Sequence, residues 1–425
     1  MTKIAIIGAG SHFGGKLSRD VLALPELQDA HIALCDINQE RLEGVVSYVQ
    51  RLIDGHNLPA RVTGTAERLE ALEGADFVVT SIAAGGPAYS GYPFTVEVNI
   101  PAKYGVEQSV ADTIGVGGIF RFLRTAPVQL AICKDMERLC PDALLLNYTN
   151  PMCMLTWLHS EGSKIANVGL CHSVQNTISE LGRYLGIPDS EMTYHCAGIN
   201  HQAWYLKLEH NGKDLYPQLR ELLNNPEAVA KDSVRFELFK HFGYFVTEST
   251  AHCSEYHPYF RRTKELLDEF GLRARKVSEE PAKPHQWSEG EGVPELTASN
   301  EYASRIIQSV ITDKAYRFHG NVMNAGLIPN LPYGSCVEVP CLVDSQGVHS
   351  CYVGPLPAQL AALNVSNIVV QELAVRAALD RDREAAFHAC AMDPLTRSVC
   401  SLNQIRSMFD ELWAAEGSLL SYFDE

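Results

Sequence analysis

The chain has little that would let it act on nucleic acid or sit in a membrane. Basic residues are the minority, 35 Lys and Arg against 51 Asp and Glu for a formal net charge of −16, and they gather in no patch or stripe. A phosphate-binding surface needs such clustering, so no nucleic-acid partner is expected. The sequence contains no run of about 18 unbroken apolar residues, so no membrane partner is expected either. The opening segment from Lys3 to Gly8 lacks the length and small-residue cleavage pattern of a signal peptide, which predicts a cytoplasmic location. None of the twelve cysteines forms a Cys-x-x-Cys pair. They are scattered through apolar segments, as at Cys35, Cys133 and Cys341, which suits reduced, buried thiols better than a disulfide framework. Internal repeats are absent as well.

What is present is alternation. With 425 residues the natural expectation is two packed domains. Over the first 175 residues, short aliphatic runs ending in Gly, Asp or Asn are each followed by a stretch with helical spacing, the pattern of βαβ units. Strands are expected at Ile4–Ile7, Ile32–Cys35, Phe77–Ser81, Leu144–Leu146 and Val168–Leu170, and helices near 14–24, 39–54, 119–138 and 174–186. From about residue 190 the chain becomes aromatic-rich and mixed, with another strand at Val337–Val343 and helices at 356–379 and 403–415. The fold class is α/β: a Rossmann-type doubly wound sheet over 1–190 and a second, mixed α+β substrate domain over 191–425, with a surface loop at Lys283–Pro294.

In a doubly wound sheet ligands bind beyond the carboxyl ends of the strands, so Gly8–Ser11, Asp36, the segment after Ser81, Asn147–Asn150 and Cys171–His172 would converge on one cleft. Gly8-Ala-Gly10-Ser11-His-Phe-Gly14 ends a strand and opens a helix, whose free N–H groups and positive dipole end suit a pyrophosphate. Its third glycine is displaced by one position. Asp36, 26 residues beyond Gly10, would accept ribose hydroxyls and repel a 2′-phosphate, favouring NAD over NADP; the alternative is an ordinary helix N-cap.

Cys171 and His201 each follow an apolar run beside turn-forming residues, outside any zinc-finger spacing. A lone thiol or imidazole is commonly a core group, but the polar neighbours His172, Ser173 and Asn200 are hard to place in a core. As a ligand pair they would leave positions open for vicinal substrate hydroxyls, and softness alone would suggest zinc, iron or cobalt. Asp112, ahead of a glycine-rich loop, is either a general acid or the cap of a turn. Asn150 could bind hydroxyls or only form a turn before proline. Glu248, His252 and Tyr256 fall within nine residues and are candidate bases, the tyrosine needing a neighbouring cation to work at neutral pH.

The segments Ile7–Ser11, Ala111–Ile119, Asn147–Pro151, Cys171–Val174, Ala197–His201, Asn330–Pro332 and Val337–Pro340 resemble, in order and over the whole length, glycoside hydrolase family four, with Cys171–Val174 and Cys196–His201 similar to its α-galactosidase branch. Val116 departs from that branch, which has proline there. The resemblance implies NAD and Mn²⁺ as cofactors, with Cys171 and His201 as metal ligands. Gly8, Gly10, Ser11, Asp36 and Asn150 would then bind cofactor, and Asn150, His172 and Asn200 substrate. It implies Asp112 as the acid and Tyr256 as the base, with Glu248 and His252 as rivals. It further implies an α-glycosidase that oxidises C3, eliminates across C1–C2, adds water and restores the hydride. This is an exception to the two-carboxylate scheme. A small glycoside substrate and a homodimer or homotetramer also follow from it. The residues alone would also fit an NAD-dependent dehydrogenase of the lactate and malate type, which the Cys171/His201 pair disfavours, or a dinucleotide sensor without turnover, which has no need of a metal pair. Within the family, α-glucosides, galacturonides, glucuronides and other acidic sugars are the competing substrates, and the charged ones would need Arg or Lys in the pocket, for which Arg121, Arg124, Arg261 and Arg262 are available.

Overall fold

The computed structural model describes residues 1–280, 287 and 292–425, so most of the loop expected at Lys283–Pro294 lies outside the described residues. Six strands are mutually parallel: β1 (Lys3–Ile7), β2 (His31–Cys35), β3 (Arg61–Thr65), β4 (Phe77–Thr80), β5 (Leu144–Asn147) and β6 (Asn167–Gly169). They lie in the order β3-β2-β1-β4-β5-β6, with crossovers that include the helices His12–Leu22, Gln39–Gly55, Gly115–Leu139 and Met152–Gly162. The central strands are short, near-continuous apolar runs because helices cover both of their faces; β1 and β4 are almost wholly buried. At the edge, β3 reads Arg-Val-Thr-Gly-Thr, with no apolar run, which is why the strand escapes a hydrophobic-pattern reading.

The second half continues the same sheet. Strands β7 (Met192–Ile199), β8 (Gln202–His210), β9 (Lys213–Asp214), β10 (Tyr316–Met323), β11 (Cys336–Asp344) and β12 (Gly347–Ser350) are antiparallel to their neighbours. Strand β10 joins β6 through Asn321 and Gly169, and β11 joins β7 through Glu338 and Gly198. The regions expected as two domains thus share one twelve-stranded sheet, and this continuity brings the hairpin β7–β8 to the end of β6. Every strand and helix expected in the first half is present, along with helices Phe94–Lys103 and Met152–Gly162.

The helix Ala358–Asp380 is long and apolar enough to span a bilayer, with a mean hydropathy of 1.2. Its packing is that of a core helix: Asn364 and Asn367 are fully buried and donate to the Gln202 side chain, bonds that satisfy amides the interior would otherwise penalise.

Candidate active site

The parallel strands end in residues that bond to one another across the sheet. The Gly8 N–H donates to Cys35 O at 2.9 Å, Ser11 Oγ to Ser81 Oγ at 3.2 Å, Thr80 Oγ1 to Asn147 Oδ1 at 2.9 Å, and Ile82 N–H to Thr149 Oγ1 at 3.1 Å. Gly8 is at φ +86°, and a Cβ there would lie 2.2 Å from Ser81 O, so only glycine lets β1 turn this close to β4. At Gly10 a Cβ would stand 2.8 Å from an Asp36 oxygen. Asp36 itself is not the helix cap: Asn38 caps Gln39–Gly55 by accepting from Arg41 N–H. The Asp36 carboxylate instead accepts from Gly10 N–H at 2.7 Å and Asn38 N–H at 2.8 Å, which aims it across the glycine turn. These residues form a tight, acid-flanked turn at a helix start, suited to a dinucleotide carrying a free 2′-hydroxyl.

Cys171 follows β6, and His201 sits in the turn between β7 and β8 at φ +65°. Cys171 Sγ lies 3.3 Å from His201 Nε2, and Glu248 Oε2 lies 3.6 Å from the same nitrogen. Ligand atoms of these three residues all fall within 4.8 Å of one another, around a volume one cation could fill. Ala111, His201 and Glu248 all adopt positive φ without being glycine, a conformation that costs energy and concentrates where geometry serves function. Burial pushes the Cys171 thiol up to about 11 and lowers His201, so with no cation present both groups stay neutral.

His252 joins this cluster to the expected acid. Its Nδ1 is 3.1 Å from Glu248 Oε1 and its Nε2 is 3.3 Å from Asp112 Oδ1. Burial opposes charge on all three groups, yet their mutual attraction prevails: both carboxyls are held well below the usual carboxylate range and His252 well above the usual imidazole range. The arrangement is a carboxylate–imidazolium–carboxylate bridge. Asn150 Nδ2 approaches Asp112 Oδ2 at 3.5 Å, a contact outside the cofactor and substrate roles expected of it. The Tyr256 ring lies 6.4 Å from the His201 ring; burial, then the nearby Cys153 thiol, push its hydroxyl well above the usual phenol range. His172 is partly exposed, with Nδ1 3.5 Å from Glu301, which also receives Lys16 of the first helix at 2.6 Å. Asn200 is buried with its Nδ2 unpartnered among the described residues.

Two residues were not singled out in the sequence. Tyr89 donates its hydroxyl to Asp112 Oδ2 at 2.9 Å. Glu338 on β11 is fully buried, neither oxygen has a hydrogen-bond partner among the described residues, and burial, partly offset by His201, pushes it up to about 7. No motif of spacing marks Tyr89; the Val337–Pro340 segment did contain Glu338. Of the four arginines available for an acidic sugar, two are committed elsewhere and a third packs on Tyr89, the partner of Asp112. Arg124 pairs with Glu97, Arg261 donates to Glu107 O and Arg273 O, and buried Arg121 donates to Ala88 O. Only Arg262 is exposed.

The chain matches the model of the Family 4 glycosyl hydrolase over residues 3–187 and that of the Family 4 glycosyl hydrolase C-terminal domain over 196–396. It is 41% identical to an alpha-galactosidase of Bacillus subtilis (strain 168), over 99% of each chain. It is 37% identical to an alpha-galactosidase of Rhizobium meliloti (strain 1021), over 99% of this chain and 89% of that one. The solved 6-phospho-beta glucosidase of Thermotoga maritima, determined with manganese, NAD+ and glucose-6-phosphate, has the same fold, with a TM-score of 0.80 at 22% identity over 97% of this chain and 98% of that one. Matched by both family models across residues 3–187 and 196–396, and 41% identical to a relative over nearly its whole length, the protein belongs to the family 4 glycosyl hydrolases.

Proposed function

We propose that this protein hydrolyses α-galactosides with NAD⁺ and Mn²⁺ as cofactors. The observation that carries the reading is the unbroken chain Cys171–His201–Glu248–His252–Asp112, in which a soft-and-oxygen cation site and a general acid are joined by one imidazole. The donor set fits the cation. Cys171, His201 and Glu248 would hold it, and the oxygen of Glu248 adds the hard donor that manganese favours. The glycine turn fits the dinucleotide: Gly8, Gly10 and Ser11 would face its phosphates and Asp36 its ribose. When bound, NAD⁺ supplies reversible acceptance of hydride at C3, and the cation supplies Lewis acidity toward the oxidised sugar.

The protein's own groups then manage protons. Glu248, held ionised, accepts the C2 proton at Oε1; the His252 imidazolium gives its Nε2 proton to Asp112 Oδ1, which protonates the departing oxygen, and the neutral ring is then recharged at Nδ1 from Glu248. The proton taken from C2 and the proton given to the leaving group thereby share one path. Tyr256 is the second candidate base, favoured only by its place beside His201, because burial keeps its hydroxyl protonated. A neutral sugar is preferred over acidic ones because Arg124 and Arg261 are bonded internally and Arg121 is packed on the Tyr89 ring. We include in this reading a cytoplasmic location, supported by twelve free cysteines of which eleven are buried, and a homodimer or homotetramer.

The test is turnover of p-nitrophenyl α-galactoside, α-glucoside, α-galacturonide and α-glucuronide with NAD⁺, Mn²⁺ and a thiol reductant. Nitrophenol release that needs both cofactors, is fastest on the galactoside and leaves no accumulated NADH is the expected result. NADH building up with a hydroxy acid or polyol, and no nitrophenol, would overturn the reading in favour of a dehydrogenase.

A further inference from the structure

Tyr89 presents an unusual combination. The residue is 42% exposed, yet its hydroxyl donates to the buried Asp112 carboxylate at 2.9 Å. The ring is held from several sides: the Arg121 guanidinium carbon lies 4.8 Å and that of Arg275 5.5 Å from its centroid, and Phe94 meets it edge-on at 5.7 Å. Both arginines are anchored in turn. Arg121 donates to Ala88 O, the residue before Tyr89, at 2.9 Å, and the Arg275 backbone N–H donates to Gln108 O at 2.7 Å. Gln108 then accepts from Gly117 N–H at 2.8 Å, in the glycine-rich segment that follows Asp112. A side chain on an exposed loop is thus fixed at both ends, and what it is fixed against is the acid.

The partners of Asp112 are divided between its two oxygens. Oδ2 receives Tyr89 at 2.9 Å and Asn150 at 3.5 Å, whereas Oδ1, among the described residues, faces His252 at 3.3 Å without a hydrogen-bond partner. An oxygen that already accepts two donors has little room or affinity for a proton. We infer that Tyr89 is a positioning residue for acid catalysis: by holding Oδ2 it reserves Oδ1 of Asp112 as the atom that delivers the proton to the leaving group. In that step the proton on Oδ1 moves to the glycosidic oxygen as the C1–O bond breaks, its electron pair passes to that oxygen, and Asp112 is left as the carboxylate. The inference rests on the glycosidase reading above and on Asp112 as its acid.

The experiment compares wild type with Tyr89→Phe, which keeps the gripped ring and removes only the hydroxyl, on alkyl, phenyl and dinitrophenyl α-galactosides in the presence of NAD⁺ and Mn²⁺. Acid assistance matters most for poor leaving groups. Loss of its positioning should therefore lower kcat for the alkyl galactoside by about 10- to 100-fold, the range for groups that orient a catalytic residue, with less than about a threefold change for the dinitrophenyl one and little change in KM. Arg275→Met, which loosens the ring without touching the hydroxyl, should show the same leaving-group trend more weakly. Tyr92→Phe, on the same loop but bonded to Glu416 O at 2.9 Å, should show none. An equal loss on all three leaving groups, or no loss, in Tyr89→Phe overturns the inference. A wild-type protein that cleaves none of the galactosides overturns the glycosidase reading itself, before Tyr89 is at issue.

Discussion

Replacing Glu416 by glutamine should make the protein more stable in alkali and leave it nearly unchanged in acid. Glu416 ends the helix Leu402–Glu416, is fully buried, and neither carboxyl oxygen has a hydrogen-bond partner among the described residues. The charged groups facing it are Glu97, which repels its anion, and Arg124, which is already engaged by Glu97 at 2.6 Å; the Tyr92 hydroxyl bonds only its backbone oxygen. Burial first and Glu97 second push Glu416 up from 4.5 to about 8. The folded state therefore prefers the protonated acid. The stability this confers is complete below the unfolded value of 4.5 and is lost progressively as pH rises through about 8. Moving the midpoint from 4.5 to about 8 sets a ceiling of roughly 5 kcal/mol at high pH, and relaxation around the site should leave ~1–3 kcal/mol. Glutamine has nearly the same shape and no charge to bury. For a chain of 425 residues a gain of about 2 kcal/mol raises Tm by roughly 2 °C. The assay is urea unfolding of both proteins at pH 4.5 and pH 9, followed by circular dichroism. A stability difference that is the same at both pH values would refute the reasoning.

Other consequences can be measured at the active site. Cys171→Ser replaces the soft donor 3.3 Å from His201 and should weaken Mn²⁺ binding by at least about tenfold, read as free Mn²⁺ by electron paramagnetic resonance rather than as activity. Asp36→Ala removes the acceptor of two backbone N–H groups at 2.7 and 2.8 Å. It also removes the carboxylate proposed to accept the ribose hydroxyls, and a hydrogen bond to a charged group contributes about 1.5–3 kcal/mol, so NADH affinity measured by fluorescence titration should fall tenfold or more. Gly8→Ala forces a side chain into positive φ and a Cβ to 2.2 Å from Ser81 O. A loss of about 2–4 kcal/mol is expected in denaturant unfolding, and wild-type stability in that variant would show that the turn can relax.

Much of this protein could be read from its sequence because the relevant signals are local. The buried parallel strands β1, β2, β4 and β5 are apolar runs, and the residues that end them mark the cleft by position alone. Edge strand β3, with its polar Arg61-Val-Thr-Gly-Thr65, carries no such signal, and the helix Phe94–Lys103, interrupted by Pro101, has weak periodicity and no side-chain cap. Cys171, His201 and Asp112 stood out as candidates by residue type and flanking turns, Asp112 also as the cap of a turn. Their partners were harder to find because partnership here is long-range: Tyr89 reaches Asp112 across 23 residues and Cys171 reaches His201 across 30. The division of labour among Glu248, His252 and Tyr256 was open in the sequence, since all three lie within nine residues. It was the fold that set Glu248 against His201, placed His252 as a bridge to Asp112, and left Tyr256 buried. The sequence determined the sheet and the chemical types at its strand ends, because hydrophobic period and turn chemistry act between near neighbours. The tertiary structure decided which carboxylate faces which imidazole and which arginines are spent on internal pairs, because burial and charge depend on segments that meet only when the chain has folded.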